Sequence, residues 1–373
     1  MTLRLLQGSV ELNPAPLFDR TPALTHRIAY AAAHVVPRVT AENTPGSPAD
    51  LDWDATLAFR HHVWSWGLGV ADAMDTAQRN MGLDWDACTE LIRRSAAEAA
   101  SVGGDLVVGV NTDHIDETSI SLDDVITAYL TQLEVAEEAG AGVVLMASRH
   151  LARAAETGAD YERVYGEVIS RAGSPVTLHW LGEAFDANLA GYFGSSDFEE
   201  SSATVIRIIE NNVATVAGIK MSLLDADAEV SLRSRLPDGV RMFTGDDFNY
   251  VQLIESGSDA LLGAFAAVAP NAAAAIRALD AGDIESYRGI LEPTEALARQ
   301  VFAAPTQFYK TGVAFLSWLN GHQSAFQMVG GLQSARSLAH LNEIVRLAND
   351  ARALERPELA AARWSGLLAV NGL

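Results

Sequence analysis

Residues 215–220 read "TVAGIK", a short and nearly continuous apolar run that ends on a lysine. A strand with one face in water alternates apolar and polar residues. A run without alternation is expected of a parallel strand covered on both faces. Seven further runs of this kind punctuate the chain: "RIAYAAAHVV" (27–36), "HVWSWGLGV" (62–70), "DLVVGV" (105–110), "AGVVLMA" (141–147), "PVTLHW" (175–180), "VRMFTG" (240–245) and "DALLGA" (259–264). Between them lie stretches with apolar residues at helical spacing, such as "LDDVITAYLTQLEVAEEAG", which Gly140 stops. Eight strand–helix units spell a (β/α)8 TIM barrel more readily than an open doubly wound sheet.

Outward from the barrel, the β pattern ends near residue 285. "ESYRGILEPTEALARQVFAA", "FYKTGVAFLSWLNG" and "SARSLAHLNEIVRLANDARALE" read as helices. The expected organisation is an N-terminal extension over 1–26, the barrel over 27–285 and a helical C-terminal region over 286–373. Segment 38–50, "RVTAENTPGSPAD", reads as a polar loop.

The net charge of −22 argues against broad nucleic-acid or anionic-membrane binding, both of which need a basic face. It leaves room for a small anion in a local pocket. The lone Cys88 excludes an intrachain disulfide, suits a reducing compartment and reads as a packed thiol on a helix. "MTLRLLQGSVELNPAPLF" has no continuous apolar core of a signal segment. The most apolar run, "ALLGAFAAVAPNAAAAI", is broken by Pro270 and Asn271 and too short to span a bilayer. A soluble, cytoplasmic protein acting on a small molecule is expected.

The lysine at the end of "TVAGIK" stands out by count. Of 26 basic side chains only two, Lys220 and Lys310, are lysines; the rest are arginines. An amine can form an imine with a carbonyl, which a guanidinium cannot. A lysine becomes nucleophilic when apolar surroundings disfavour its charged form, and Ala217, Gly218, Ile219 and Met221 supply such flanks. The alternative is a buried lysine paired with a carboxylate. Lys310 lies on a predicted helix outside the barrel, where a structural role is expected.

Chemistry in this fold sits at the C-terminal ends of the strands. The residues there are His34, Asp113 and His114, Arg149 and His150, His179 and Glu183, then Asp246 and Asp247 in "FTGDDFNY". Asp before a helix is also an ordinary N-cap, so the two aspartates carry that reading as well.

The Lys220 stretch, followed by "FTGDD" and "GSDALLGAFAAVAP", resembles the dihydrodipicolinate synthase/N-acetylneuraminate lyase superfamily of class I aldolase barrels. "GLDWDACTELIRRSAAEA" with "DLVVGVNTDHI" is similar to its second helix and third strand, and the C-terminal helices to its appendage. The resemblance implies a Schiff base on Lys220 with a 2-keto acid or a related carbonyl compound, no cofactor, and a homo-oligomer, dimer or tetramer. "HWLGEAFD" at the fifth strand resembles a divergent branch and not the synthase proper.

Two departures stand out. The superfamily's Gly-Thr-Thr-Gly-Glu motif, which seats the keto-acid carboxylate, is absent. "VADAMDTAQ" occupies its region and offers Asp75 and Thr76 as substitutes. Arg149-His150 replaces the Tyr-Tyr pair after strand four, which puts His150 in the place of the proton-relaying tyrosine and leaves Arg149 to hold an anion. The leading reading is a lyase of the class I aldolase or dehydratase type with Lys220, His150 and His179 catalytic. Arg149, Thr76, Asp75, Glu183, Asp246, Asp247 and His114 would bind substrate, with no metal. Two rivals stay open: a metal-dependent barrel enzyme drawing ligands from His34, His114, His150, His179, Glu183 and Asp246, and a sugar-acid sensor that binds without turnover.

Overall fold

The computed structural model describes residues 2–20 and 24–373. Strands β1 (Thr2–Arg4) and β2 (Ser9–Glu11) form a small antiparallel hairpin. The remaining eight strands close a barrel: β3 (Ala29–Ala32), β4 (Gly69–Asp72), β5 (Leu106–Val110), β6 (Gly142–Leu145), β7 (Val176–Leu181), β8 (Val216–Ser222), β9 (Arg241–Thr244) and β10 (Asp259–Leu262). Neighbours in sequence are neighbours in the sheet, and β10 returns to β3. The eight units read from the apolar runs are therefore the observed ones.

The second run needs correction. Residues 62–65 of "HVWSWGLGV" belong to helix α1 (Trp53–Ser65), and only "GVAD" forms the strand. Asp52 caps that helix by accepting from the Ala55 amide at 3.0 Å, a local signal that outweighs the strand propensity of the tryptophans. Likewise "DALLGA" gives up Ala264 to the next helix.

By compactness the chain divides into two units that do not follow chain order. One comprises 1–70, 75–83 and 262–373; the other comprises 71–74 and 84–261. In the first, the N-terminal hairpin packs on the C-terminal helices. Trp364 donates its indole N–H to the Arg4 carbonyl at 3.0 Å, and Asn349 accepts from the Asn13 amide at 2.8 Å. Lys310, on α12 (Tyr309–Leu319), is buried, with its ammonium over the Tyr309 ring and 3.4 Å from Met81 Sδ. In the second unit, Cys88 is buried on helix α2 (Trp85–Val102). Among the described residues no helix is long and apolar enough to cross a membrane.

A buried acid in the second unit sets a pH dependence for stability. Glu229, on α7 (Ala226–Arg233), is 1% exposed and accepts from Ser258 Oγ at 2.7 Å. Burial, assisted by the charge of Asp246 and opposed by the Ser258 bond, pushes its carboxyl up to about 7. The folded state thus holds a proton that the unfolded chain releases at about 4.5. This contribution is complete below that value and is lost as pH rises through about 7. Glu229→Gln, followed by chemical denaturation at several pH values, should gain about 3 kcal/mol on the wild type between pH 5 and 8. A constant difference between the two proteins across that range would contradict it.

Candidate active site

Register decides which way Lys220 points. Val176 pairs with Val216, but Thr177 pairs with Gly218, so Ala217 is an extra residue in β8. This bulge sets Lys220 beside His179; without it, Lys220 would fall beside Trp180. A one-residue slip moves a side chain to the opposite face of a sheet. Trp180 lies on the helix side, 5.2 Å from the Phe193 ring and stacked at 5.8 Å on Phe198. The bulge therefore keeps the lysine off the helix layer and on the face shared by His179.

On that face Gly218, Lys220 and Ser222 succeed one another along β8, with Phe243 and Gly245 beside them from β9 and the residue that follows it. Lys220 is 8% exposed and His179 is fully buried. His179 Nε2 lies 3.2 Å from Ser222 Oγ, and its Nδ1 has no hydrogen-bond partner among the described residues. Burial, joined by the positive charge of Lys220, drives the His179 imidazole well below its usual range, so the ring is neutral at physiological pH. Gly245 continues the β8–β9 ladder by donating to the Met221 carbonyl at 2.8 Å. A Cβ there would lie 2.1 Å from Ser222 Oγ and 2.8 Å from Lys220 Cε. Glycine is what gives the lysine room to extend along the wall.

The other residues expected at the site lie in separate settings. His150, near the start of α4 (Arg149–Ala154), has both ring nitrogens engaged: Nδ1 with Thr112 Oγ1 at 2.7 Å and Nε2 with the Glu117 carbonyl at 2.9 Å. A carbonyl only accepts, so Nε2 carries a proton and donates it to Glu117. Ser148 Oγ, 2.6 Å from Thr112, extends the chain. Arg149 pairs with Asp186. Burial works to raise that carboxyl, but bonds from Asn188 and Arg149 hold it below its ordinary value.

His114 Nδ1 meets the Gln132 amide at 2.9 Å. Asp246 accepts from the Phe248 and Asn249 amides and from Asn249 Nδ2, which fixes the turn into α8 (Tyr250–Glu255); Asp247 is buried next to it. Glu183 is exposed and lines a cleft of about 450 Å³ beyond the ends of β7 and β8. Trp180, Phe198 and Ala228 also line this cleft, so it opens on the helix side of the sheet.

In the other unit, the Thr76 hydroxyl shares a 2.8 Å hydrogen bond with the Tyr309 hydroxyl, and Asp75 is half-buried beside it. With Tyr309 as donor in that bond, the Thr76 hydroxyl keeps its own proton to give to a carboxylate. His34 Nε2 meets Gln323 Oε1 at 2.9 Å.

Sequence reasoning passed over Ser222, although its place two residues beyond Lys220 puts it on the same face of a strand. It also passed over a tyrosine cluster. Tyr192 accepts from the Ser148 amide at 3.0 Å and lies 3.1 Å from Tyr165, while Tyr129 donates to the Met146 carbonyl at 2.6 Å. Burial pushes all three phenols well above their usual range, so they stay protonated and brace the turn after β6. Nothing in the local sequence of Tyr192, on an irregular loop, signals that contact.

The match that identifies the chain runs over residues 7–373. The chain belongs to the family described as "Protein of unknown function (DUF993)". The fold of this DUF993 chain is that of solved dihydrodipicolinate synthases. The Aquifex aeolicus synthase superposes with a TM-score of 0.68 at 13% identity, covering 88% of this chain and 99% of that one. For the Thermotoga maritima synthase the values are 0.66, 15%, 88% and 99%. For the Oceanobacillus iheyensis synthase they are 0.65, 14%, 86% and 94%. At such identities the likeness speaks for the fold. No curated protein matches the chain.

Proposed function

We propose that the protein is a Schiff-base lyase or aldolase acting on a 2-keto acid or sugar-derived carbonyl compound through Lys220. The observation that carries this reading is a buried primary amine on the sixth barrel strand beside a histidine held neutral. The amine, as free base, adds to the substrate carbonyl. A proton taken from solvent lets the carbinolamine hydroxyl leave as water, and the nitrogen lone pair closes an iminium. The bond between the carbons α and β to the iminium carbon then breaks: its electron pair goes to the enamine, while the β-hydroxyl gives up its proton and the β carbon leaves as a carbonyl; the condensation is the reverse.

His179 serves this sequence by staying uncharged. One positive charge develops in the wall, on nitrogen, and a second beside it would oppose iminium formation. The unpartnered Nδ1 of His179 is available to a hydroxyl of the carbinolamine. Arg149 takes a substrate anion in exchange for Asp186, and the Ser148–Thr112–His150 chain orders protons on the same turn. Glu183, Asp246, Asp247 and His114 shape and cap the surrounding loops.

Borohydride reduction in the presence of a panel of 2-keto acids and keto sugars, read by intact mass and peptide mapping, tests the reading. A substrate-sized mass increment on the peptide containing Lys220 supports it. No increment with any member of the panel, or an increment carried by Lys310 alone, sinks it.

A further inference from the structure

Away from the lysine, within the unit that holds the C-terminal helices, three potential metal donors converge. His62 sits in the last turn of α1, and α1 returns the chain from the end of β3 to the start of β4. His322 follows α12, where its backbone N–H donates to the Ser317 carbonyl at 2.9 Å. Glu355 precedes α14 (Pro357–Val370), and its backbone N–H donates to Asn320 Oδ1 at 3.0 Å. Asn320 Nδ2 reaches the Ala353 carbonyl at 3.0 Å, so one amide ties both loops together. Phe59 walls the group, stacked on His62 at 5.9 Å and edge-on to His322 at 5.5 Å.

Glu355 Oε1 is 2.8 Å from His322 Nε2 and 3.3 Å from His62 Nε2. The donor atoms of all three residues lie within 4.8 Å of one another, a grouping that recurs nowhere else among the described residues. Hydrogen bonding accounts well for one imidazole; the second is long, although its ring is only 4.2 Å from the first. We infer that His62, His322 and Glu355 form a binding site for a divalent first-row transition ion of the zinc class. Bonds of about 2.0–2.1 Å in tetrahedral array put ligand atoms about 3.3 Å apart. The His62–Glu355 separation already has this value, and His322 meets it by withdrawing a few tenths of an ångström.

Two imidazoles and a carboxylate leave a fourth position for water or an exogenous ligand. The side chains are 11%, 17% and 19% exposed, so an ion has access while Phe59 shields one side. An ion here would clasp the end of α1 to the loops before α13 (Leu338–Asp350) and before α14. The site is independent of the Lys220 reading, and neither stands on the other.

The test uses the full chain, stripped with a chelator and dialysed against Zn²⁺ in the presence of a competing metal-binding dye. One tightly held zinc per chain is expected. His322→Ala and Glu355→Gln should each weaken it by at least about 100-fold, and His61→Ala should leave it within about twofold. Failure of the wild type to retain zinc, or equal retention in the two ligand variants, overturns the assignment. Should a variant not fold, Co²⁺ titrated into the stripped wild type decides. Strong visible bands of a four- or five-coordinate ion support the site, and the weak spectrum of the aquo ion refutes it.

Discussion

Lys220→Arg should lose borohydride trapping altogether and reduce turnover by roughly 10⁴-fold or more, the scale seen when a covalent nucleophile is removed. The substitution keeps a cation in the wall and so separates charge from nucleophilicity: a guanidinium neither gives up its proton nor forms an imine. If Lys220 were only the partner of a buried carboxylate, arginine would substitute with modest cost, and retained turnover would remove the proposal. A second readout follows from His179, whose imidazole is held down first by burial and then by the charge of Lys220. In Lys220→Met the second cause disappears. The His179 titration, followed by NMR, should move upward yet remain below the ordinary histidine range, because the ring is still fully buried. An unmoved titration would mean that the two groups do not sense each other.

What could be read from the sequence was what has a short period. Parallel strands covered on both faces announce themselves as apolar runs, and the eight runs became the eight barrel strands. The lysine at the sixth of them was visible because lysine is scarce in this chain. What could not be read depends on register and long-range packing. The bulge at Ala217 has no signature in "TVAGIK", yet it places Lys220 beside His179 and not Trp180. His150 looks like a free strand-end histidine in "MASRHL"; only the folded loop reveals that Glu117 and Thr112 occupy both of its nitrogens. His62, His322 and Glu355 meet only because α1 and two inter-helix loops pack together, and no spacing in the sequence prefigures them. The hairpin of the N-terminal extension likewise finds its place through Trp364, far away in sequence.

Gly245→Ala should cut the rate of imine formation by about 100-fold or more while costing only about 1–3 kcal/mol of stability. The new methyl would stand 2.1 Å from Ser222 Oγ, 2.8 Å from Lys220 Cε and 2.9 Å from the Met221 carbonyl. Two of those neighbours are side chains that can turn away. Ser222 would rotate off His179, and the lysine would leave its track along the wall. The carbonyl cannot turn, so β9 must also ease away from β8. Packing strain and loss of the nucleophile's position are then separable by comparison with Gly218→Ala. There the methyl would lie 2.7 Å from the Arg241 carbonyl and 2.9 Å from the Phe243 ring, strain between the same two strands with Lys220 not among its nearest contacts. Trapping rates set against denaturation midpoints should show the Gly245 variant far slower than its stability explains and the Gly218 variant close to what its stability explains. If both variants slow trapping in proportion to lost stability, Gly245 serves the strand pair and not the amine.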